Sequence, residues 1–173
     1  GYKVYVSDRD IYELLNKDYS ATGIRAFDYH FVSKVYEKPF ELVYTSIENF
    51  SKELTQNVKC GGHTNGCRIG FDAGGSDRKV SAMKDGEVVY SEEVIWFPKI
   101  TKDYKYHYEE ILKAFKTAAS YLPRVDAIGV SSAGIYINNR TMVASLFMSI
   151  PEDDFDKHIK DIYINVAKEI GDV

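Results

Sequence analysis

The spacing of apolar and polar positions changes character near residue 60. Residues 2–6, Tyr-Lys-Val-Tyr-Val, alternate like a short strand. Ser7-Asp-Arg-Asp10 reads as a helix cap ahead of Ile11, Leu14 and Leu15. Residues 24–32 are rich in aromatic and β-branched side chains and predict a strand, as does Phe40-Glu-Leu-Val-Tyr44. Thr45-Ser-Ile-Glu48 has the form of a capping box, opening a helix with Ile47, Phe50 and Leu54 on one face. Residues 55–66 are polar and glycine-rich, the composition of a connection.

From residue 67 onward the pattern is more regular. Residues 67–73, 77–83 and 87–96 predict three strands joined by tight turns, and Asp85-Gly86 is a strong hairpin signal. Ile111, Leu112, Phe115, Ala118, Ala119 and Leu122 fall near helical spacing, predicting a helix over 106–122 that Pro123 stops. Val125–Val130 predicts a buried strand running into Ser131-Ser-Ala-Gly134, and 135–148 a short strand or irregular segments. Asp153 or Asp154 would then cap a helix with Phe155, Ile159, Ile162, Val166 and Ile170 in one stripe. Three hairpin-linked strands, a helix, a strand and a helix predict an α/β unit with a mixed sheet over 67–173. Residues 1–60 form a separate N-terminal α+β extension.

Composition narrows the function classes. The chain has 173 residues, 45% hydrophobic and 28% charged, which is a folded, globular balance. The formal charge of −4 has both signs interspersed, so no basic stripe points to nucleic acid. No apolar run approaches the roughly 18 residues of a membrane span, and a cytoplasmic protein is the expectation. The chain begins with Gly1 inside a strand-like run and stops just after a helical pattern, as a domain cut from a longer protein would.

The chemistry concentrates in Ile69-Gly-Phe-Asp-Ala-Gly-Gly-Ser-Asp-Arg-Lys-Val80. Adjacent glycines let a backbone turn tightly and bring its N–H groups close to a ligand. Asp72, at a strand end, can hold a hydrated Mg²⁺. Ser76 and Lys79 offer a hydroxyl and a cation to phosphate oxygens. A Walker loop needs a different glycine spacing and a following helix, where a strand is expected here. Gly-Gly alone also suits a plain hairpin tip; the flanking strands favour the phosphate reading.

Asp-x-Gly-Gly-Ser/Thr-x-x-Lys/Arg at a strand–turn–strand resembles the first phosphate motif of the sugar kinase, Hsp70 and actin superfamily. The likeness is nearest to its ROK (repressor, open reading frame, kinase) and hexokinase-like branch. Asp72, Gly74, Gly75, Ser76 and Lys79 match it position by position, with serine where threonine is commoner. The resemblance covers about residues 67–173 and implies a ribonuclease H-like (actin-like ATPase) half-domain. It implies Mg-ATP as cofactor, a sugar as substrate and a missing C-terminal half-domain as partner, with a homo-oligomer possible. The implied reaction is transfer of the γ-phosphoryl group to a sugar hydroxyl. The family's base lies in an Asn-Asp motif, and no Asn-Asp dipeptide occurs here. A fragment that is inactive alone is therefore expected. The alternatives are a non-catalytic sugar or nucleotide sensor and a structural or oligomerising module.

A second segment, Ile128–Gly134, resembles the strand and glycine-bearing loop beside the sugar cleft in this family, with Ala133-Gly134 where Pro-Gly is common. Ser131, Ser132 and Gly134 are the candidate substrate contacts, with packing at a strand end an equal alternative. Asn138 and Asn139, followed by Arg140, could reach sugar hydroxyls, but an ordinary turn is the favoured reading. Cys60, His63 and Cys67 match no usual zinc spacing and read as part of an exposed turn. Tyr104, Tyr106, Tyr108 and His107 suggest packing or an interface. His158 reads as a solvated residue.

Overall fold

The computed structural model describes residues 1–50 and 61–171. The chain divides into two compact units, Gly1–Cys60 and Gly61–Val173. In the first, β1 (Lys3–Val6) pairs in parallel with β2 (Glu41–Tyr44), Lys3 opposite Glu41. Parallel partners need a crossover, supplied by α1 (Arg9–Asp18) and α2 (Ala26–Tyr36). Asp8 caps α1 by accepting a hydrogen bond from the Ile11 amide at 3.0 Å.

Residues 26–32 are thus helical rather than extended, which corrects the predicted strand at 24–32. Tertiary context overrides their β propensity. Phe27, Phe31 and Val35 are four apart; the two phenylalanine rings stack at 5.7 Å, and Val35 is buried. Thr45–Glu48 opens no α-helix: Ile47–Asn49 is a single 3₁₀ turn, and Phe50 is already extended. Leu54 lies outside the described residues.

The second unit is mixed α/β. Its sheet has the order β5-β4-β3-β6, from β3 (Cys67–Ala73), β4 (Asp77–Lys84), β5 (Glu87–Ile95) and β6 (Ala127–Ser132). The first three form the expected antiparallel meander. Asp85 and Gly86 both take positive φ, +50° and +91°, the type I′ geometry that matches strand twist. The α3 helix (Tyr104–Ala119) carries the chain over the sheet so that β6 lies parallel to β3. It starts two residues earlier than its apolar spacing suggests because the Asp103 carboxylate caps it, accepting from the Lys105 amide at 2.9 Å.

The predicted strand at 125–130 is displaced to 127–132. Asp126 is held at the entrance instead, its backbone and carboxylate both bonded to Cys67. Ser131 and Ser132 therefore belong to the strand, not to a loop beyond it. The β7 (Ile135–Ile137) and β8 (Arg140–Val143) hairpin follows.

The final helical stretch also differs from its prediction. The helical stretch starts earlier than predicted, with Pro151 at the N-cap of a short turn, α4 (Glu152–Asp154); Asp154 does stand at the N-cap position of the segment that begins at Phe155, but its side chain makes no capping bond. A wider π turn follows over Phe155–Ile159, and then α5 (Ile162–Gly171). The irregularity has a use, since the Thr141 amide of β8 donates to the Lys160 carbonyl at 2.8 Å. Interrupting the helical ladder frees that acceptor.

One face of the sheet carries the core. Strict alternation on β3 sends Cys67, Ile69, Phe71 and Ala73 inward, and β4 contributes Val80 and Ala82. Ile111, Phe115 and Ala118 of α3 and Ile162, Val166 and Ile170 of α5 cover them. The opposite face leaves Gly70, Asp72, Lys79, Ser91, Glu93, Gly129 and Ser131 exposed. His107 is fully buried, its ring nitrogens meeting the carbonyls of Asp103 and Pro98 at 3.0 and 2.9 Å. His158 is exposed but stacks on Tyr104 at 3.8 Å. Among the described residues no helix is long and apolar enough to cross a membrane.

Candidate functional site

The site is assembled by the β3–β4 hairpin and the parallel partner β6. Asp72 stands opposite Lys79 on β4 and opposite Ser131 on β6. Neighbouring strands are about 4.8 Å apart, so these three groups share one patch at the carboxyl ends of β3 and β6. In open α/β sheets that end is where ligands bind.

Gly74, Gly75 and Ser76 form the turn that follows. Neither glycine has a positive φ, so backbone freedom is not what selects them. Space selects Gly74, where a Cβ would lie 2.5 Å from the Asp77 carbonyl oxygen; a Cβ on Gly75 would meet only the movable end of Lys99, with Nζ at 2.6 Å. Trp96 fixes the turn from beneath: its indole Nε1 donates to the Gly74 carbonyl at 2.8 Å, and its amide donates to the Ser76 carbonyl at 3.1 Å. Ser76 is exposed.

The charges around the turn are partly spent on each other. Lys79 Nζ donates to Asp77 at 2.9 Å and lies 3.6 Å from Glu93. That hydrogen bond holds the Asp77 carboxyl below its usual range and, with the nearby acids, raises the Lys79 ammonium above its own. Both groups stay solvated, so an incoming anion could compete for the lysine at small cost. Lys99 supplies a further cation over Gly75. It was not a candidate from sequence, because no motif marks a lysine in the loop after β5; only the fold brings it there.

Beside this patch the open face forms a shallow trough of about 660 Å³. Gly70 and Gly129, register partners on β3 and β6, lie along its floor, and Asp72, Lys79, Ser131 and Glu93 stand around it. The missing side chains at 70 and 129 are what keep it open.

The remaining candidates separate. Ser132 and Asn139 do not share the trough; they line a second hollow, with Tyr136 and Tyr163, beyond the other face of β6. Alternation along a strand sends consecutive serines to opposite sides. Gly134 has φ +150°, and a Cβ there would meet the Val143 carbonyl oxygen at 2.4 Å, so close approach to β8 accounts for it. Asn138 and Asn139 take φ of +52° and +63° and turn the β7–β8 hairpin, as the turn reading expects.

Among the described residues no three His, Cys, Asp or Glu side chains form a metal cage. Cys67 is buried with a free thiol, and Cys60 lies outside the described residues. A single exposed carboxylate such as Asp72 does fit hydrated Mg²⁺ carried in with phosphates, since that ion keeps most of its waters. No protein-family model matches the chain, and no curated protein matches it.

Proposed function

We propose that residues 67–173 are a ribonuclease H-like half-domain of the sugar kinase–Hsp70–actin superfamily, nearest its ROK and hexokinase-like branch. Its role is to seat the phosphates of Mg-ATP for transfer to a sugar hydroxyl. One observation carries the reading: Asp72 and Ser131 are register partners at the ends of parallel strands, directly before the Gly74–Ser76 turn. The turn would cradle phosphate oxygens, Ser76 would offer its hydroxyl, and Lys79 and Lys99 would supply positive charge. Asp72 would hold the metal's hydration shell, and the ion would neutralise charge on the transferring group. Phosphoryl transfer depends mainly on such positioning and electrostatics.

The same residues also support a non-catalytic sensor. The sequence has no Asn-Asp dipeptide to supply the family's base, and Lys79 is already paired with two acids. Either way this chain by itself is expected to bind Mg-ATP weakly and to phosphorylate no sugar. Few contacts are available to offset the ligand's lost freedom.

Amide NMR of the 173-residue chain during Mg-ATP titration, alongside a coupled kinase assay over a sugar panel, tests this. The expected result is fast-exchange shifts confined to residues 72–79, 99 and 131, weakened by Asp72→Ala and by removing Mg²⁺. Shifts elsewhere, or none, would remove the phosphate reading. Phosphorylation by this chain would show that a base has been overlooked. Sugar-induced shifts without turnover would favour the sensor.

A further inference from the structure

The β3–β4 turn meets two lysines, and they stand in opposite surroundings. Lys79, on β4, donates to Asp77 at 2.9 Å and lies 3.6 Å from Glu93. Asp72, its register partner on β3, adds a third negative charge that acts on it. One cation among three acids leaves that side of the turn net negative, which repels an incoming anion.

Lys99 reaches the turn from the loop after β5. Its ammonium lies over Gly75, 2.6 Å from where the first carbon of a side chain would stand. Among the described residues no carboxylate pairs with it, in contrast to Lys79. The carbonyls on either side of Gly75 do not claim it either: those of Gly74 and Ser76 accept from the Trp96 indole and amide. An ammonium brings three donors, and here they face the turn with no acid to satisfy them.

The backbone that carries Lys99 is fixed at three successive residues. The Phe97 amide donates to the Tyr106 hydroxyl at 2.9 Å. A ring nitrogen of buried His107 meets the Pro98 carbonyl at 2.9 Å. The Ser149 hydroxyl donates to the carbonyl of Lys99 itself. The Lys99 residue is nonetheless exposed. With the base already held, binding has only one side chain left to order, which keeps the entropic cost small.

We propose that Lys99, and not the motif lysine Lys79, is the residue that captures the ligand's phosphates, closing over Gly75 onto a di- or triphosphate chain. The proposal rests on the phosphate reading of the turn and gives its anion selectivity to a residue that no motif marks. Lys79 then serves mainly to tie Asp77 and Glu93 together.

The probe is inorganic tripolyphosphate in metal-free buffer, titrated into the 173-residue chain and followed by amide NMR. Expected are shifts at residues 74–76 and 99. Lys99→Gln should weaken binding roughly tenfold, the low end for a hydrogen bond between charged groups, and Lys99→Arg should restore most of it. Lys102→Gln removes the same charge three residues along the loop and should change affinity by less than about twofold, because solvent and salt screen a charge that makes no contact. Both lysines are exposed, so the melting temperatures of these variants should match that of the unaltered chain. In that unaltered chain, tripolyphosphate should protect Lys99 from limited acetylation more than Lys79, as peptide mass spectrometry would show. Shifts at the turn with Lys99 neither protected nor needed would overturn the proposal and leave the phosphate reading standing. Equal losses from Lys99→Gln and Lys102→Gln would do the same, since the anion would then be answering to the charge of the loop. No shift at the turn would remove both.

Discussion

Alanine at position 78 is expected to destabilise the second unit by about 3 kcal/mol, the lower end of the range for breaking a buried ion pair. Arg78 is fully buried although it carries a full charge. Its Nε and Nη2 donate to Glu110 Oε2 of α3, and its Nη1 to Glu92 Oε1 of β5, at 2.9 to 3.2 Å. Tyr90 completes the group by donating to the other oxygen of Glu92 at 2.9 Å. Truncation would leave two carboxylates facing each other over a void. Each glutamate side chain retains about a quarter of its exposure, which tempers the loss. Urea denaturation at neutral pH measures it. The combined variant Arg78→Met/Glu92→Gln/Glu110→Gln should recover most of the stability, because removing all the charges avoids stranding any. A loss for the alanine variant below about 1 kcal/mol would show that both acids simply rehydrate.

Phe115→Ala should cost about 3–5 kcal/mol, as expected for deleting a fully buried aromatic ring. Phe115 has no exposure and meets Phe71 edge-to-face, at 5.2 Å between centroids and 82° between planes. This pair pins α3 to β3 one residue before Asp72. Thermal and urea unfolding would report the loss, and hydrogen exchange should show β6 protected less than β4, because β6 has one sheet neighbour and β4 has two. Full stability after truncation would mean that the core collapses to refill the space, and that the Phe71–Phe115 contact is not what holds the helix.

How much of this was legible beforehand differs by region. The meander was readable because tight turns punctuate alternating strands: Asp85-Gly86 needs two positive φ values and has residues suited to them. The mixed sheet was readable because a helix of that length between two strands supplies the crossover that a parallel pair needs. The strand predicted at 24–32 failed because its aromatic residues fit both states, and β1–β2 pairing, decided by residues far apart in sequence, selects the helix. The split between Ser131 and Ser132 was hidden by a two-residue error in strand position. Once β6 runs to Ser132, alternation alone separates them. Arg78 fell in a variable position of the motif, yet it is the most deeply buried charge among the described residues. No local pattern marks it, because its partners come from β5 and α3.

The chain contains a single tryptophan, and its indole is 1% exposed while hydrogen-bonded to Gly74. Emission excited selectively at the indole therefore originates beneath the very turn proposed to meet phosphate. Spectroscopically, the molecule carries its own unlabelled dye at that hairpin, shielded from dissolved quenchers and tied to the backbone atoms whose movement matters. Optical titrations with Mg-ATP need no engineered fluorophore, and the untouched sequence can serve as both sample and sensor.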